Sequence, residues 1–337
     1  MLAAVLTELD SPLRLLDVEP QSLQLGQVKV KVLTSGICGA QLQELRGHKG
    51  NAKFLPHLLG HEGCGIVLEV GPGVTSCNVG DKVVMHWRQS AGIESAFPQY
   101  RLKDGQTISG GKVTTLSEVS ICSENRLTPV PSDTPTDFAA LLGCAISTAY
   151  GIVDNEMQIK FGQTVAILGM GGLGLAVAQA AAMKGPSRVT GVDRHAKKAP
   201  TALKLGATDF GDKLLSEYDW IVDTTGDESL ISGSISHLAP GGSLILVAQP
   251  PPYASVKLPG GGELFRGNGI KVIATQGGQT NPFLDIPRYL QLMLAGRLHY
   301  SQLISERYPL LQVNEAMEKL RRGTLGRILI SMEEKVA

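Results

Sequence analysis

Apolar positions in the first 130 or so residues recur with the period of a strand. "QVKVKVLTSGI" (27–37) and "GCGIVLEVGPGV" (63–74) alternate or run apolar and are rich in β-branched residues, and "GDKVVMHW" (80–87) follows a turn signal. Glycine and proline punctuate this region roughly every ten residues, as in a distorted barrel. Residues 86–118 are polar, irregular and glycine-containing and read as one long loop. At "TDFAALLGCAISTAYGIV" (136–153) the spacing becomes helical.

From "QTVAILGMGGLGLAVAQAAAMKG" (163–185) onward, strand and helix patterns alternate. "SRVTGVD" (187–193), "YDWIVDTTG" (218–226) and "GGSLILVAQ" (241–249) read as further strands, with helical spacing between them. Such alternation predicts a doubly wound parallel sheet with right-handed crossovers. "GGSLILVAQPPPYASVKL" (241–258) is a candidate edge strand for pairing across a two-fold axis. "IPRYLQLMLAGRL" (286–298) and "NEAMEKLRRG" (314–323) are amphipathic helices, and "GRILISM" (326–332) is a last strand. The chain therefore reads as β-rich, then α/β, then a short return.

Bulk properties narrow the function classes. A length of 337 residues accommodates two domains of roughly 150 residues each. Lys+Arg and Asp+Glu balance at 31 each, which argues against a nucleic-acid or membrane-surface partner held by bulk charge. No apolar run reaches the ~18 residues of a membrane span. The first residues lack the basic start of a secretory signal. Cys38, Cys64, Cys77, Cys122 and Cys144 are odd in number and far apart, so a disulfide framework is not expected and a reducing cytoplasm is.

Gly169-x-Gly171-x-x-Gly174 follows an apolar strand and opens a helix, with Gly172 beside the second glycine. In that context it is a dinucleotide fingerprint: Gly169 permits the tight turn, Gly171 lets backbone approach a pyrophosphate, and Gly174 lets helix and strand pack closely. The helix N-terminus offers unpaired N–H groups to phosphate. Asp193 ends the next strand, where a carboxylate accepts from both ribose hydroxyls and repels a 2′-phosphate, favouring NAD over NADP. Arg194 follows it, placed to stack on adenine or soften that preference.

Three further residues stand in small-residue settings that leave room for an ion: Cys38 in "SGICGA", His61 in "LGHEG" and Cys144 in "LLGCAISTAYG". A catalytic zinc takes three such ligands and keeps a fourth position open. Taken singly, each is also an ordinary buried cysteine or hydrogen-bonded histidine. The residues alone leave both readings standing.

The succession "GICG", "GHEGCGIVLEVGPGV", "GDKV", "GCAISTAYG", "GMGGLG…GVD" resembles the zinc-containing medium-chain alcohol dehydrogenases, and the resemblance runs nearly the whole chain, through "PLLQVNEAMEKLRRG". It implies a GroES-like β-rich catalytic domain from 1–145 and 280–337, with a Rossmann NAD-binding domain at 146–279. It implies one catalytic zinc on Cys38, His61 and Cys144, with Glu62 beside the metal and able to enter its shell during ligand exchange. It places Thr148 near the nicotinamide, Arg327 near the pyrophosphate and Trp87 in the substrate pocket, and it implies a homodimer or homotetramer.

This chain departs from the pattern in several places. Residues 86–121 contain no cysteine, so the structural zinc of many members is not expected and the segment must be held by its own packing. The usual hydroxyl two residues after the first cysteine is Ala40, and the histidine three further on is Gln43. Gln41 replaces the aspartate that orients the zinc histidine; its carbonyl is expected to accept the second N–H of His61. His48 and His57 are alternative proton carriers. His86, Arg88, Glu94, Lys49 and Asn51 make a polar neighbourhood that points to a polyol, sugar or hydroxy acid. The expected function is zinc-dependent hydride transfer between NAD(H) and a small alcohol or carbonyl substrate. The alternatives are a zinc-free quinone or enone reductase and a non-catalytic NAD(H)-binding protein.

Overall fold

The computed structural model describes residues 1–266 and 268–332. They form two compact units: Met1–Ser147 with the segment from Asn281 onward, and Thr148–Thr280.

In the first unit, the alternating stretch forms the eleven-residue strand Gln27–Ile37. Val28, Val30 and Val32 enter a core with Val67, Val83 and Met85, while Lys31 faces out. Lys29 pairs with its cross-strand partner Glu69. This strand organises a seven-stranded sheet that runs Leu127–Val130, Lys82–His86, Glu62–Val70, Gln27–Ile37, Arg327–Ser331, Ile304–Pro309, with Val119–Ser123 added to the long strand. The amphipathic helix Val313–Arg322 buries Val313, Ala316 and Met317, one face at i, i+3 and i+4, against Ile37, Ile328 and Ile330.

A small closed barrel completes this unit, formed by Leu2–Leu6, Arg14–Pro20, Gln99–Leu102, Thr107–Ser109 and His57–Leu58. Two of its strands correct the reading of 86–118 as one loop. Gln99–Leu102 and Thr107–Ser109 are an antiparallel pair that buries Tyr100 and Ile108. Each is four residues or fewer, too short for its alternation to stand out.

In the second unit, six parallel strands lie in the order Asp209–Gly211, Arg188–Val192, Thr164–Leu168, Tyr218–Asp223, Leu238–Leu246, Lys271–Ala274. That is the doubly wound order that switches direction at the first strand. The outer strands Asp209–Gly211 and Lys271–Ala274 are short and largely exposed, which is why no apolar run announces them. Lys271–Ala274 occupies the edge. Of the stretch expected there, 241–258, the part that is a strand lies between two neighbours, and 247–260 contains no strand. Among the described residues no single helix is long and apolar enough to cross a membrane.

Candidate functional site

Strand register brings distant residues to one end of the first unit's sheet. Ser35 pairs with Gly63, and Ile37 pairs with Ile328, both antiparallel. Cys38 therefore leaves its strand where Glu62 begins the next and where Arg327 begins the third. Cys144 follows the helix Thr136–Leu142. A Cβ at Gly143 would lie 2.3 Å from the Met85 carbonyl oxygen and 2.8 Å from Glu62 Cα, so only glycine lets this turn close onto the strands.

The sulfurs of Cys38 and Cys144 and a ring nitrogen of His61 lie within 4.8 Å of one another. Cys38 Sγ is 3.2 Å from His61 Nε2. Cys144 donates a hydrogen bond to Cys38, which outweighs burial and, with His61 and Arg327 nearby, holds the Cys38 thiol well below its ordinary pKa. The same bond and burial hold Cys144 well above it. Burial disfavours charge on His61, yet the Cys38 sulfur draws a proton to the ring and raises its pKa.

Glu62 is fully buried. One carboxylate oxygen accepts the Ala145 N–H at 3.2 Å, and the other stands 2.8 Å from the Arg327 guanidinium. Burial raises the Glu62 pKa, and Arg327 works against that rise. A Cβ on Gly36 would come within 2.6 Å of Glu62 Oε1, so the glycines around this segment make room for its side chains. Arg327, assigned to the pyrophosphate by resemblance, is itself buried against Glu62.

Gln41 meets His61 by its other end from the one expected. Its Oε1 accepts the Cys38 N–H at 2.7 Å, leaving Nε2 at 3.0 Å from His61 Nδ1. Ala40 offers no hydroxyl. His48 donates through Nδ1 to Gln43 at 2.7 Å. His57 is buried, with Nδ1 on the Leu58 carbonyl and Nε2 on Asn51.

Several residues of the polar neighbourhood are spent on the protein itself. His86 is buried; as a neutral ring it donates to the Arg88 carbonyl and accepts from Thr128. Asn51 donates to the Glu44 carbonyl and faces His57. Glu94 accepts from Asn125 and Arg126. Trp87 is half-buried, with the Arg88 guanidinium 5.6 Å from its ring centre, and Lys49 is exposed.

The segment after the Lys82–His86 strand is held by carboxylates. Buried Glu124 accepts the N–H groups of Thr75, Ser76 and Ile93 at 2.7–2.8 Å, and Glu94 pairs with Arg126 and Lys112. All five cysteines are free. Burial pushes Cys64 and Cys122 up to about 12 and Cys77 up to about 11, so these thiols are inert fillers of the core.

In the second unit, Gly169 has φ +88°, and Gly171 is the N-cap of helix Gly172–Ala182 without a side-chain cap. A Cβ at Gly171 would meet nothing within 4 Å, whereas one at Gly174 would lie 1.9 Å from the Gly169 carbonyl oxygen. The backbone is thus open to a ligand at the second glycine and closed against the strand at the third. Asp193 accepts the N–H of Met170 and of His195 and pairs with Lys198 at 2.7 Å. Sequence reasoning missed Lys198, because "AKKA" reads as surface, yet its side chain is buried. Arg194 is exposed, with Nε 3.3 Å from His195 Nε2. Thr148 is buried on helix Ala145–Gly151.

Known proteins share this organisation. The alcohol dehydrogenase GroES-like domain family matches residues 24–132, and the zinc-binding dehydrogenase family matches residues 172–295. A putative alcohol dehydrogenase D of Mycobacterium tuberculosis is 30% identical over 95% of this chain and 96% of its own. The NDMA-dependent alcohol dehydrogenase of Amycolatopsis methanolica is 28% identical, again over 95% and 96%. The crystal structure of benzyl alcohol dehydrogenase from Acinetobacter calcoaceticus superposes with a TM-score of 0.87 at 22% identity, covering 98% of this chain and 99% of that one, a likeness of fold. By its relatives, its domains and its fold, the chain belongs to the zinc-type medium-chain dehydrogenase family.

Proposed function

We propose that the chain is a zinc- and NAD(H)-dependent oxidoreductase interconverting an alcohol and its carbonyl compound. The observation that carries this reading is the convergence of Cys38, His61 and Cys144. Two thiols and an imidazole are a donor set that zinc takes in catalytic sites, and it is the set by which alcohol dehydrogenases are known to hold theirs. Ligands of one tetrahedral ion stand roughly 3.5 Å apart when zinc–sulfur bonds are about 2.3 Å, so the three atoms fit a single ion. Zinc held there supplies a Lewis acid for the substrate oxygen. NAD(H) supplies the hydride carrier.

The rest falls to the chain's own side chains. Cys38 already leans toward thiolate, the form that ligates. Arg327 opposes the rise that burial gives the Glu62 pKa and fixes one carboxylate oxygen while the Ala145 N–H holds the other, beside the ligand set. Asp193, oriented by two backbone N–H groups and Lys198, offers its remaining acceptor positions to ribose hydroxyls, which favours NAD(H) over NADP(H). With Ala40 in place of a hydroxyl, the substrate proton takes another route, for which His48 and His57 are the candidate carriers. The proposed substrate is a small alcohol or carbonyl compound, with polyols, sugars and hydroxy acids first among those to try. A homodimer or homotetramer in a reducing cytoplasm accords with the family and with five free thiols.

Metal analysis and turnover test the reading together. Protein equilibrated with zinc is expected to bind one zinc per chain, and Cys38→Ser or Cys144→Ser to lose both zinc and NAD-linked oxidation of alcohols. Full activity in zinc-free protein rejects the zinc reading in favour of a reductase without metal. Cofactor binding with no turnover on any alcohol, polyol or hydroxy acid points to a nucleotide-binding protein without chemistry.

A further inference from the structure

Gln41 is fully buried in helix Gly39–Leu45, directly behind His61. Its orientation is decided by a backbone group. The Cys38 N–H can only donate, so the side-chain atom 2.7 Å from it is the carbonyl oxygen. The amide nitrogen is then the atom 3.0 Å from His61 Nδ1. Nitrogen and oxygen look alike in an amide, but this assignment follows from the donor that faces them.

The consequence falls on His61. An amide N–H donates, so it asks Nδ1 to be a bare acceptor. A neutral ring with a bare Nδ1 carries its proton on Nε2, and Nε2 is the nitrogen 3.2 Å from Cys38 Sγ. The atom that would meet an ion alongside the sulfurs is therefore the one holding the proton. For a metal to bind, the ring proton must move from Nε2 to Nδ1, at constant ring charge. There it would point at the Gln41 amide hydrogens. Turning the amide over relieves that contact and creates the same clash at Cys38, where two N–H groups would face each other. A carboxylate accepts from both donors at once; an amide accepts from one.

We propose that Gln41 is a positioning residue that holds His61 in the tautomer unable to ligate, and so gives this chain a weak and readily reversible hold on zinc. The inference rests on the metal reading of Cys38, His61 and Cys144. It concerns the strength of binding, which activity of the zinc-loaded protein does not report.

The test uses the full chain at one fixed pH. Zinc affinity of the natural protein and of Gln41→Glu is measured by competition with a chromogenic chelator. The carboxylate has the same length and accepts both N–H groups, so it is expected to bind zinc about 10–100-fold more tightly. Equal or weaker binding by a folded Gln41→Glu overturns the proposal and leaves the metal reading intact. Zinc bound by neither protein overturns both. A second measurement needs no variant. Nitrogen-15 NMR of the His61 ring in metal-free natural protein, at a pH where the ring is neutral, is expected to show a proton on Nε2 and none on Nδ1. A proton on Nδ1 of the neutral ring overturns the proposal.

Discussion

The guanidinium of Arg327 stands 2.8 Å from the carboxylate of Glu62, and both side chains are buried. Strand pairing holds them there, since Ile37, which leads into Cys38, lies opposite Ile328. The other polar partner of Glu62 among the described residues is the Ala145 N–H, so Arg327 supplies most of what compensates its burial. Arg327→Leu removes the partner and leaves a buried carboxylate without a counter-charge. The expected loss is about 3–5 kcal/mol of folding stability, read by urea unfolding. Adding Glu62→Gln to that variant is expected to recover part of the loss. An Arg327→Leu protein as stable as the natural one removes the pair from any structural role.

Glu124 does for the segment 75–93 what a metal staple does elsewhere: one group closes several backbone strands at once. Its two oxygens receive three backbone N–H groups. Burial works against its charge, but the N–H groups of Ile93, Thr75 and Ser76 win and hold its pKa below the usual carboxylate range. In Glu124→Gln one of these donors faces an amide N–H instead. The expected loss is about 2–3 kcal/mol, with Gly92 and Ile93 becoming open to hydrogen exchange. Because the folded pKa lies below the unfolded one, the natural protein keeps this contribution above the ordinary carboxylate pKa and loses it as pH falls through the folded value. The variant should show no such acid loss from this site.

Which of these features a sequence reveals depends on whether burial writes a pattern. Gln27–Ile37 is readable to the residue because β-branched side chains alternate along a strand with one face in a core. Cys38, His61 and Cys144 stand out through the small residues that seat them, although their convergence needed the resemblance to see. Asp209–Gly211 and Lys271–Ala274 leave no mark, since an exposed outer strand has no apolar face to display. Lys198 reads as solvated because its charge is neutralised by a residue five positions back, through a turn that periodicity does not describe. The direction of the Gln41 amide is set by one backbone N–H, and no spacing rule speaks to it.

His86 ties stability to pH near neutrality. Burial is the main cause that lowers its pKa to about 4, and the ring stays neutral between the Arg88 carbonyl and Thr128. In the unfolded chain the ring takes a proton near its ordinary value of about 6.5. Protons therefore favour the unfolded state between these limits. The stability associated with the neutral ring is complete above pH ~6.5 and is lost progressively as pH falls toward ~4, to a total of about 3 kcal/mol. Unfolding free energies measured across that window should fall more steeply for the natural protein than for His86→Gln. Parallel curves for the two proteins contradict the assignment.

The two glycines of the turn proposed to hold the nucleotide should separate binding from folding. Gly171 has φ −86° and ψ −168°, a conformation open to any residue, and a Cβ there would touch nothing within 4 Å. Gly171→Ala is therefore expected to fold normally, losing at most about 1 kcal/mol from replacing glycine at a helix N-cap. The new methyl group would occupy the space through which a pyrophosphate reaches the helix N-terminus, so NADH affinity should fall by about tenfold or more. At Gly174 the Cβ would lie 1.9 Å from the Gly169 carbonyl oxygen, inside any real contact distance. Gly174→Ala must push helix and strand apart, at about 2–3 kcal/mol or more, and its loss of NADH binding should follow its loss of stability. Thermal unfolding with and without NADH measures both quantities on each variant. If Gly171→Ala binds NADH as the natural protein does, the dinucleotide lies elsewhere than over this turn.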